Sequence, residues 1–260
     1  MLFNAQKRSL NILKKYAQEY KCDKIFYGYL EQYNKHFFKE RLKKKNILEI
    51  GIKRKTKKSP GASSLRMWKK YFPNSTINGI DIDPINKNYQ QHNINIHIGD
   101  QGDESFLKSV IKEIGPLDII IDDGSHVNEL TLKSYNYLFQ HLNLGGIYVI
   151  EDLLVSYMNL EEHDVIEKSK ESEKSENGNY GTWWGMHLIK DISLTNDRND
   201  IDNFLVSKIY DLDLWQNKQS ELKRQRIKNT ILNRKMDEID EINFYKWIVF
   251  IHKTKNNISQ

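Results

Sequence analysis

Two short apolar runs in this chain each end in a pair of adjacent carboxylates. Residues 119–123 read Ile-Ile-Ile-Asp-Asp, and residues 148–152 read Tyr-Val-Ile-Glu-Asp. Apolar, β-branched runs of this length are typical of buried strands in a parallel sheet. In open α/β sheets, ligands bind at the carboxyl ends of the strands. The pattern therefore predicts a parallel sheet that carries four acids at the edge where chemistry is expected.

The acids at this edge predict a metal site with a base beside it. Carboxylate oxygens are hard ligands that suit a divalent cation such as Mg²⁺. His126 follows the first acid pair at a distance of three residues from Asp123, and histidine is the commonest general base. A lone histidine is usually structural, and we expect that of the other histidines in the chain.

Strand and helix patterns alternate along the middle of the chain. The predicted strands cover residues 46–50, 77–80, 94–98, 117–121 and 147–150, and the predicted helices cover about 64–70, 104–114 and 130–142. Alternation with short connections favours an α/β fold whose parallel sheet is covered on both faces. Farther along, a strand-like run at 204–210 and a strand at 244–251 are expected to pair antiparallel at the far edge.

Residues 1–45 are predicted to form an N-terminal helical extension. Apolar residues in 6–20 recur mainly at helical spacing, and a second, aromatic helix is predicted over 26–43. The remaining residues, 46–260, are predicted to form the main domain. Within it, the regular pattern ends after residue 152, and we expect an insertion at about 153–190 that acts as a lid or holds the substrate.

Composition limits the protein to a few broad classes. The chain has 260 residues, a formal net charge of +5 and one cysteine, Cys22, so it has no intrachain disulfide and fits a reducing compartment. The amino terminus lacks a secretory signal, and no apolar stretch is long enough to span a membrane. We therefore expect a cytoplasmic protein. Basic clusters at 41–45 and 53–58 either attract phosphates or are solvated loop charges.

The ends of the first two strands predict a nucleoside-containing cofactor. Glu49 and Gly51 end the first strand, and Asp81 ends the second, where a carboxylate can accept hydrogen bonds from ribose hydroxyls. A pyrophosphate favours G-x-G-x-x-G at a helix N-terminus. Here Gly51 is followed by Ile-Lys-Arg, and Gly61 lies ten residues away. A dinucleotide is therefore disfavoured, and Glu49 suits a cofactor with a cationic amino acid portion.

Several motifs together resemble one enzyme family. They are residues 47–51 (Ile-Leu-Glu-Ile-Gly), 64–68 (Ser-Leu-Arg-Met-Trp), 71–74, 79–81, 99–101 (Gly-Asp-Gln), 118–126 and 150–153, with further matches at 22–24, 28–29 and 244–245. The chain resembles the metal-dependent sugar O-methyltransferases, which are class I S-adenosylmethionine-dependent enzymes and include macrolide deoxysugar and rhamnosyl O-methyltransferases. The similarity covers most of the chain and is weakest at about 160–240.

The resemblance implies a fold, two cofactors and a set of site residues. The implied fold is a Rossmann-like, seven-stranded methyltransferase sheet whose last strand is antiparallel. The implied Mg²⁺ ligands are Asp123, Glu151 and Asp152, and the implied catalytic residues are His126, as general base, and Asp123. The residues expected on the S-adenosylmethionine side are Glu49, Gly51, Ser64, Asp81, Gly99, Asp100, Gln101 and Asp122.

The expected activity is methylation of a hydroxyl on a sugar or a sugar-bearing metabolite, including polysaccharide precursors. Alternatives within enzymes are a phosphorylated or nucleotide-linked sugar, or another vicinal diol. The alternative outside enzymes is a nucleic-acid-binding protein with a vestigial methyltransferase fold, which the intact Asp123, His126, Glu151 and Asp152 disfavour. The sequence leaves open whether the chain forms a homo-oligomer. It also leaves open whether Trp183 and Trp184 belong to a core or to a lid that stacks on a sugar.

Overall fold

The computed structural model describes residues 2–52, 60–157, 198–216 and 237–255. The helices are α1 (Leu2–Glu19), α2 (Tyr29–Phe37), α3 (Ser63–Tyr71), α4 (Glu104–Ile114), α5 (Asn128–Leu138) and α6 (Arg198–Gln216). The strands are β1 (Asn46–Ile50), β2 (Thr76–Asp81), β3 (Ile94–Ile98), β4 (Leu117–Asp122), β5 (Leu142–Ile150), β6 (Ile239–Tyr245) and β7 (Ile248–Lys253). Short 3₁₀ turns occur at Asp23–Ile25, Pro84–Tyr89, Phe139–His141 and Val155–Tyr157.

The seven strands form one sheet in the order β3-β2-β1-β4-β5-β7-β6. Strands β1 to β5 pair in parallel, whereas β7 is antiparallel to both of its neighbours, β5 and β6. The predicted Rossmann-like, seven-stranded α/β sheet with an antiparallel last strand is therefore confirmed. Successive isoleucines of β4 belong to different cores, with Ile119 and Ile121 on one face and Ile120 on the other, which explains why the strand is apolar throughout.

The N-terminal helices belong to the core of one sheet face. Leu13 of α1 and Tyr33 of α2 are fully buried in the same cluster as Trp68 of α3 and Phe250 of β7. The rings of Tyr33 and Trp68 meet edge to face with centroids 4.9 Å apart, a favoured aromatic geometry. The extension is thus fixed against the sheet, while its division from the main domain at residue 45 stays a prediction.

The opposite face is covered by α4, α5 and α6. Helix α4 begins with a side-chain cap, because the Asp103 carboxylate accepts hydrogen bonds from the amides of Ser105 and Phe106 at 2.8 and 3.2 Å. The strand predicted at 204–210 is wrong, since these residues lie in α6. Residues 244–251 are also not one strand: they span the end of β6 and most of β7, and the chain reverses between them.

Some predicted features lie outside the described residues. They are the basic segment 53–58, most of the insertion expected at 153–190, and both Trp183 and Trp184. Among the described helices, none has the length and apolarity needed to cross a membrane.

Candidate functional site

The sheet brings the predicted acids together at the carboxyl ends of β1, β4 and β5. Ile50 of β1 lies beside Asp122 of β4, which in turn lies beside Ile150 of β5. The backbone pairing continues past the strands, because the Asp123 amide donates to the Ile50 carbonyl at 3.0 Å and the Glu151 amide donates to the Asp122 carbonyl at 2.9 Å. The residues that follow these strands are therefore held side by side.

A buried lysine lies at the centre of the acids. The Lys24 ammonium is 2.6 Å from Asp123 Oδ2, 2.6 Å from Glu151 Oε1 and 3.2 Å from Glu49 Oε1. Burial alone would lower the pKa of Lys24, but the three carboxylates outweigh it and hold that pKa well above its ordinary value. Lys24 is thus a charged ammonium in the interior. It belongs to the motif at 22–24 that resembles the family, but the sequence predicts no role for it in the site.

The outer part of the site contains the predicted base and two acids. His126 Nε2 lies 3.8 Å from both Asp123 Oδ1 and Asp152 Oδ2. One ligand atom from each of these three residues lies within 4.8 Å of the others, and the same holds for a second group made of Glu49, Asp123 and Glu151. Of the three predicted metal ligands, Asp152 belongs to the first group, Glu151 to the second and Asp123 to both.

The backbone is strained at two of these residues. His126 has a φ of 55° and Asp152 has a φ of 52°, in the left-handed region that residues other than glycine rarely adopt. Such strain persists only where the surrounding structure enforces it, and it is concentrated at functional sites. The two residues lie in the loops that follow β4 and β5, and their side chains lie beside Asp123.

Two tyrosines of α2 donate to the acids after β5. The Tyr29 hydroxyl donates to Asp152 Oδ1 at 2.6 Å, and the Tyr33 hydroxyl donates to Glu151 Oε1. Burial, followed by the bond to Asp152, raises the pKa of Tyr29, so its phenol stays protonated. Burial and the neighbouring Asp123 likewise raise the pKa of Glu151. The carboxylate oxygens of Asp123, Glu151 and Asp152 are hard ligands of the kind that suits a divalent cation such as Mg²⁺.

Glu49 is a buried acid with spare bonding capacity. It is fully buried, and among the described residues no hydrogen bond of ordinary geometry reaches either of its carboxylate oxygens. Burial raises the pKa of Glu49 to about 7, although Lys24 opposes the shift. The Lys24 ammonium, 3.2 Å from Oε1, is its ion-pair partner. This arrangement fits the cationic amino acid portion of S-adenosylmethionine.

Gly51 is required by the packing of the strand ends. Its φ is 92°, and a Cβ atom there would lie 1.9 Å from the carbonyl oxygen of Asp123. The glycine thus lets β1 pass close to the loop that carries Asp123. Nearby, Asp81 accepts from the Ile52 amide at 2.6 Å and from the Asp83 amide at 2.7 Å, which fixes its carboxylate at the end of β2.

Asp122 and Gln101 support the loop at 123–126 from below. The buried Asp122 carboxylate accepts from the Ser134 hydroxyl at 2.7 Å and the Tyr148 hydroxyl at 3.1 Å. Gln101 donates to Asp122 at 3.3 Å and accepts from the Ser125 amide at 2.8 Å. These bonds hold the loop in place, and the expected cofactor contacts of both residues stay predictions.

The other residues expected near the cofactor have local structural contacts. Asp100 accepts from the Gly102 amide at 2.7 Å and so closes a turn. A Cβ atom at Gly99 would lie 2.5 Å from the ring of Phe106. Ser64 is buried in the first turn of α3. Their cofactor roles also stay predictions.

Comparison with known proteins gives one consistent set of relatives. No family model matches the chain. Demethylmacrocin O-methyltransferase of Streptomyces fradiae is 42% identical over 125 residues, which cover 48% of this chain and 31% of that protein. Mycinamicin VI 2''-O-methyltransferase of Micromonospora griseorubida is 40% identical over 134 residues, which cover 51% of this chain and 33% of that protein. The matches thus span about a third of the length of these curated relatives.

Solved structures extend the similarity over nearly the whole chain. The MycE methyltransferase of the mycinamycin biosynthetic pathway, in complex with Mg and S-adenosylhomocysteine, is 27% identical, with a TM-score of 0.67 that covers 95% of this chain and 55% of that one. A second structure of that enzyme also holds mycinamycin VI and aligns with a TM-score of 0.66. The similarity therefore includes both the sheet and the N-terminal helices.

Proposed function

We propose that this chain, a homologue of the metal-dependent sugar O-methyltransferases, transfers a methyl group from S-adenosylmethionine to a hydroxyl of a sugar or sugar-bearing metabolite. The observation that carries the proposal is the group formed by Asp123, His126 and Asp152, whose ligand atoms lie within 4.8 Å of one another. A base beside carboxylates that can bind a metal is what deprotonation of a weakly acidic hydroxyl requires.

The cofactor is expected to bind over the ends of β1 and β2. Glu49 would accept hydrogen bonds from the ammonium of the methionine portion, because its carboxylate is fully buried at the end of β1 and, among the described residues, no hydrogen bond of ordinary geometry reaches its oxygens. Asp81 would accept from the ribose hydroxyls, since each of its oxygens has a second lone pair besides the one used by a backbone amide. The turn at Gly99, Asp100 and Gln101 would adjoin the adenine.

The metal would be held by Asp123, Glu151 and Asp152. When bound, Mg²⁺ supplies Lewis acidity that lowers the pKa of a coordinated hydroxyl. His126 would accept the proton of that hydroxyl, and Asp123 and Asp152 would stabilise the imidazolium because both lie 3.8 Å from its Nε2 atom. The transfer forms the bond between the acceptor oxygen and the methyl carbon and breaks the bond between that carbon and sulfur.

The proposed methyl acceptor is a saccharide. Three relatives are named for the O-methylation of demethylmacrocin, of mycinamicin VI at its 2'' position and of 8-demethyl-8-α-L-rhamnosyl tetracenomycin-C at its 2' position. Other vicinal diols, and sugars linked to phosphate or a nucleotide, would use the same metal chemistry. A panel of acceptors distinguishes these classes.

The proposal is tested by incubating the protein with labelled S-adenosylmethionine and this panel, in the presence of Mg²⁺ or EDTA. We expect methylation of a sugar hydroxyl that EDTA abolishes. His126→Gln should lower kcat by about 10² to 10⁴, the usual contribution of a general base. His92→Gln is the matched control, because His92 is exposed. Turnover that persists in EDTA, or in Asp123→Asn, would refute the metal-assisted mechanism.

A further inference from the structure

We propose that Lys24, Tyr29 and Tyr33 are positioning residues that aim the metal ligands, so that the N-terminal extension forms part of the active site. The inference rests on the proposed function, because it concerns the Mg²⁺ ligands assigned above. Its basis is that each of the three ligand carboxylates has one oxygen fixed by a donor from this extension.

The donors are distributed over all three ligands. Lys24 donates to Asp123 Oδ2 and to Glu151 Oε1, both at 2.6 Å. Tyr33 donates to the same oxygen of Glu151, and Tyr29 donates to Asp152 Oδ1 at 2.6 Å. Hydrogen bonds to ionised acceptors are short and strong. Each carboxylate is therefore prevented from rotating freely about its terminal bond.

The bonds leave particular oxygens facing the base. Asp123 Oδ1 and Asp152 Oδ2, the oxygens not bound by Lys24 and Tyr29, are the atoms that lie 3.8 Å from His126 Nε2. In each of the two aspartates, one oxygen thus contacts the extension and the other faces the base. A cation bound by the oxygens that face the base needs both aspartates held in this orientation.

A single short segment provides all three donors. Lys24 lies in the 3₁₀ turn Asp23–Ile25, and Tyr29 and Tyr33 are separated by four residues on one face of α2. Gly28 joins the turn to the helix with a φ of 74°, and a Cβ atom at Gly28 would contact nothing within 4 Å. The glycine is therefore needed for its backbone conformation alone, which starts α2 so that both tyrosines reach the acids.

A merely structural role would give a different result from a positioning role. Tyr71 offers the comparison, because it is also fully buried and bonded through its hydroxyl, to Ser9 at 2.8 Å and to Asn34 at 3.1 Å. These bonds lie within the N-terminal core and reach none of the metal ligands. Loss of the Tyr71 hydroxyl should affect stability without affecting the metal site.

The experiment measures Mn²⁺ binding to the full chain by calorimetry and by electron paramagnetic resonance, without S-adenosylmethionine or acceptor. The variants are Tyr29→Phe, Tyr33→Phe and the control Tyr71→Phe, each of which removes one oxygen and keeps the ring. We expect Tyr29→Phe and Tyr33→Phe each to weaken Mn²⁺ binding by about 10- to 100-fold, as is typical when groups that orient metal ligands are removed. Tyr71→Phe should bind Mn²⁺ as the wild type does.

The outcomes separate the two proposals. If the wild type binds Mn²⁺ and both variants bind it equally well, the positioning inference is overturned and the proposed function stands. Equal weakening in Tyr71→Phe would also overturn it, because the effect would then reflect general stability. If the wild type binds S-adenosylhomocysteine but no Mn²⁺, the inference and the metal-assisted part of the proposed function both fail.

Discussion

Replacing Lys24 with methionine tests whether the acid cluster depends on its internal cation. Methionine has a similar length and no charge, so Lys24→Met removes the ammonium and leaves most of the apolar packing. The lysine side chain is only 2% exposed, and so is that of Glu151, while Glu49 is fully buried. The variant would therefore leave carboxylates in the interior without their common partner.

The expected loss follows from this burial. Removing one partner of a buried ion pair costs about 3–5 kcal/mol in the free energy of unfolding, because the other charge stays buried and uncompensated. Lys14→Met is the matched control, since Lys14 pairs with Glu31 at 2.5 Å but the two side chains are 42% and 46% exposed. An exposed pair of this kind contributes only about 0–1 kcal/mol.

The loss should depend on pH with a definite sign. The folded pKa of Glu49 is about 7, raised by burial from an ordinary 4.5. At pH values between 4.5 and about 7 the folded state binds more protons than the unfolded state. The ionisation of Glu49 therefore lowers the free energy of unfolding as pH rises. Without Lys24 this pKa should rise further. The destabilisation by Lys24→Met should therefore be largest near pH 8 and should shrink as pH falls toward 5.

Urea denaturation of both lysine variants and the wild type at several pH values measures this effect. Tryptophan fluorescence reports on the buried Trp68, and circular dichroism checks that each variant folds. A loss below about 1 kcal/mol at pH 8 would contradict the expected cost of an unpaired buried charge. A loss that does not change between pH 5 and pH 8 would show that the carboxylates do not take up protons in place of the ammonium.

Two further predictions concern the packing around the site. Gly51→Ala should destabilise the fold by on the order of 3 kcal/mol or more, because its Cβ would lie 1.9 Å from the Asp123 carbonyl oxygen. In the control Gly28→Ala only the positive φ is unfavourable, so the cost should be about 1–2 kcal/mol. Urea denaturation measures both losses. His36 is partly buried, and burial, with His252 and Lys35, lowers its pKa from 6.5 to about 3. Between these two pKa values only the unfolded state binds the proton, so the free energy of unfolding should fall as pH drops below 6.5. His36→Gln should reduce the fall in this free energy between pH 7 and pH 5 by about 1 kcal/mol, a value that allows for the partial exposure of His36.

The parallel strands can be predicted from the sequence because both faces of these strands are buried, which makes them apolar throughout. Residues 117–121 were predicted as a strand, and β4 is Leu117–Asp122, since a run that is apolar on both faces has few alternatives. The run at 204–210 misled for the opposite reason. Ile201, Phe204, Leu205 and Lys208 are buried at the helical spacing of i, i+3, i+4 and i+7, and a window that begins at 204 omits the first of them.

The role of Lys24 could not be read from the sequence. Lysine is rarely buried, and its partners Asp123 and Glu151 lie 99 and 127 positions away in the chain. Only the packing of α1 and α2 against the sheet brings them together. By contrast, the proximity of Asp123, His126 and Asp152 was predictable, because adjacent parallel strands end at one edge.

The charges of the site lead to a final prediction about the cofactor. Glu49, Asp123, Glu151 and Asp152 carry four negative charges when ionised, and Lys24 supplies one positive charge that lies 2.6 to 3.2 Å from three of them. The remaining excess of negative charge should attract the sulfonium of S-adenosylmethionine, which S-adenosylhomocysteine lacks. The metal-free protein should therefore bind S-adenosylmethionine more tightly than S-adenosylhomocysteine. Mg²⁺ should reduce that preference, because it neutralises the same carboxylates. Calorimetric titration of both ligands in EDTA and in Mg²⁺ measures the two ratios, and a preference that Mg²⁺ leaves unchanged or increases would show that the cluster does not act on the sulfonium.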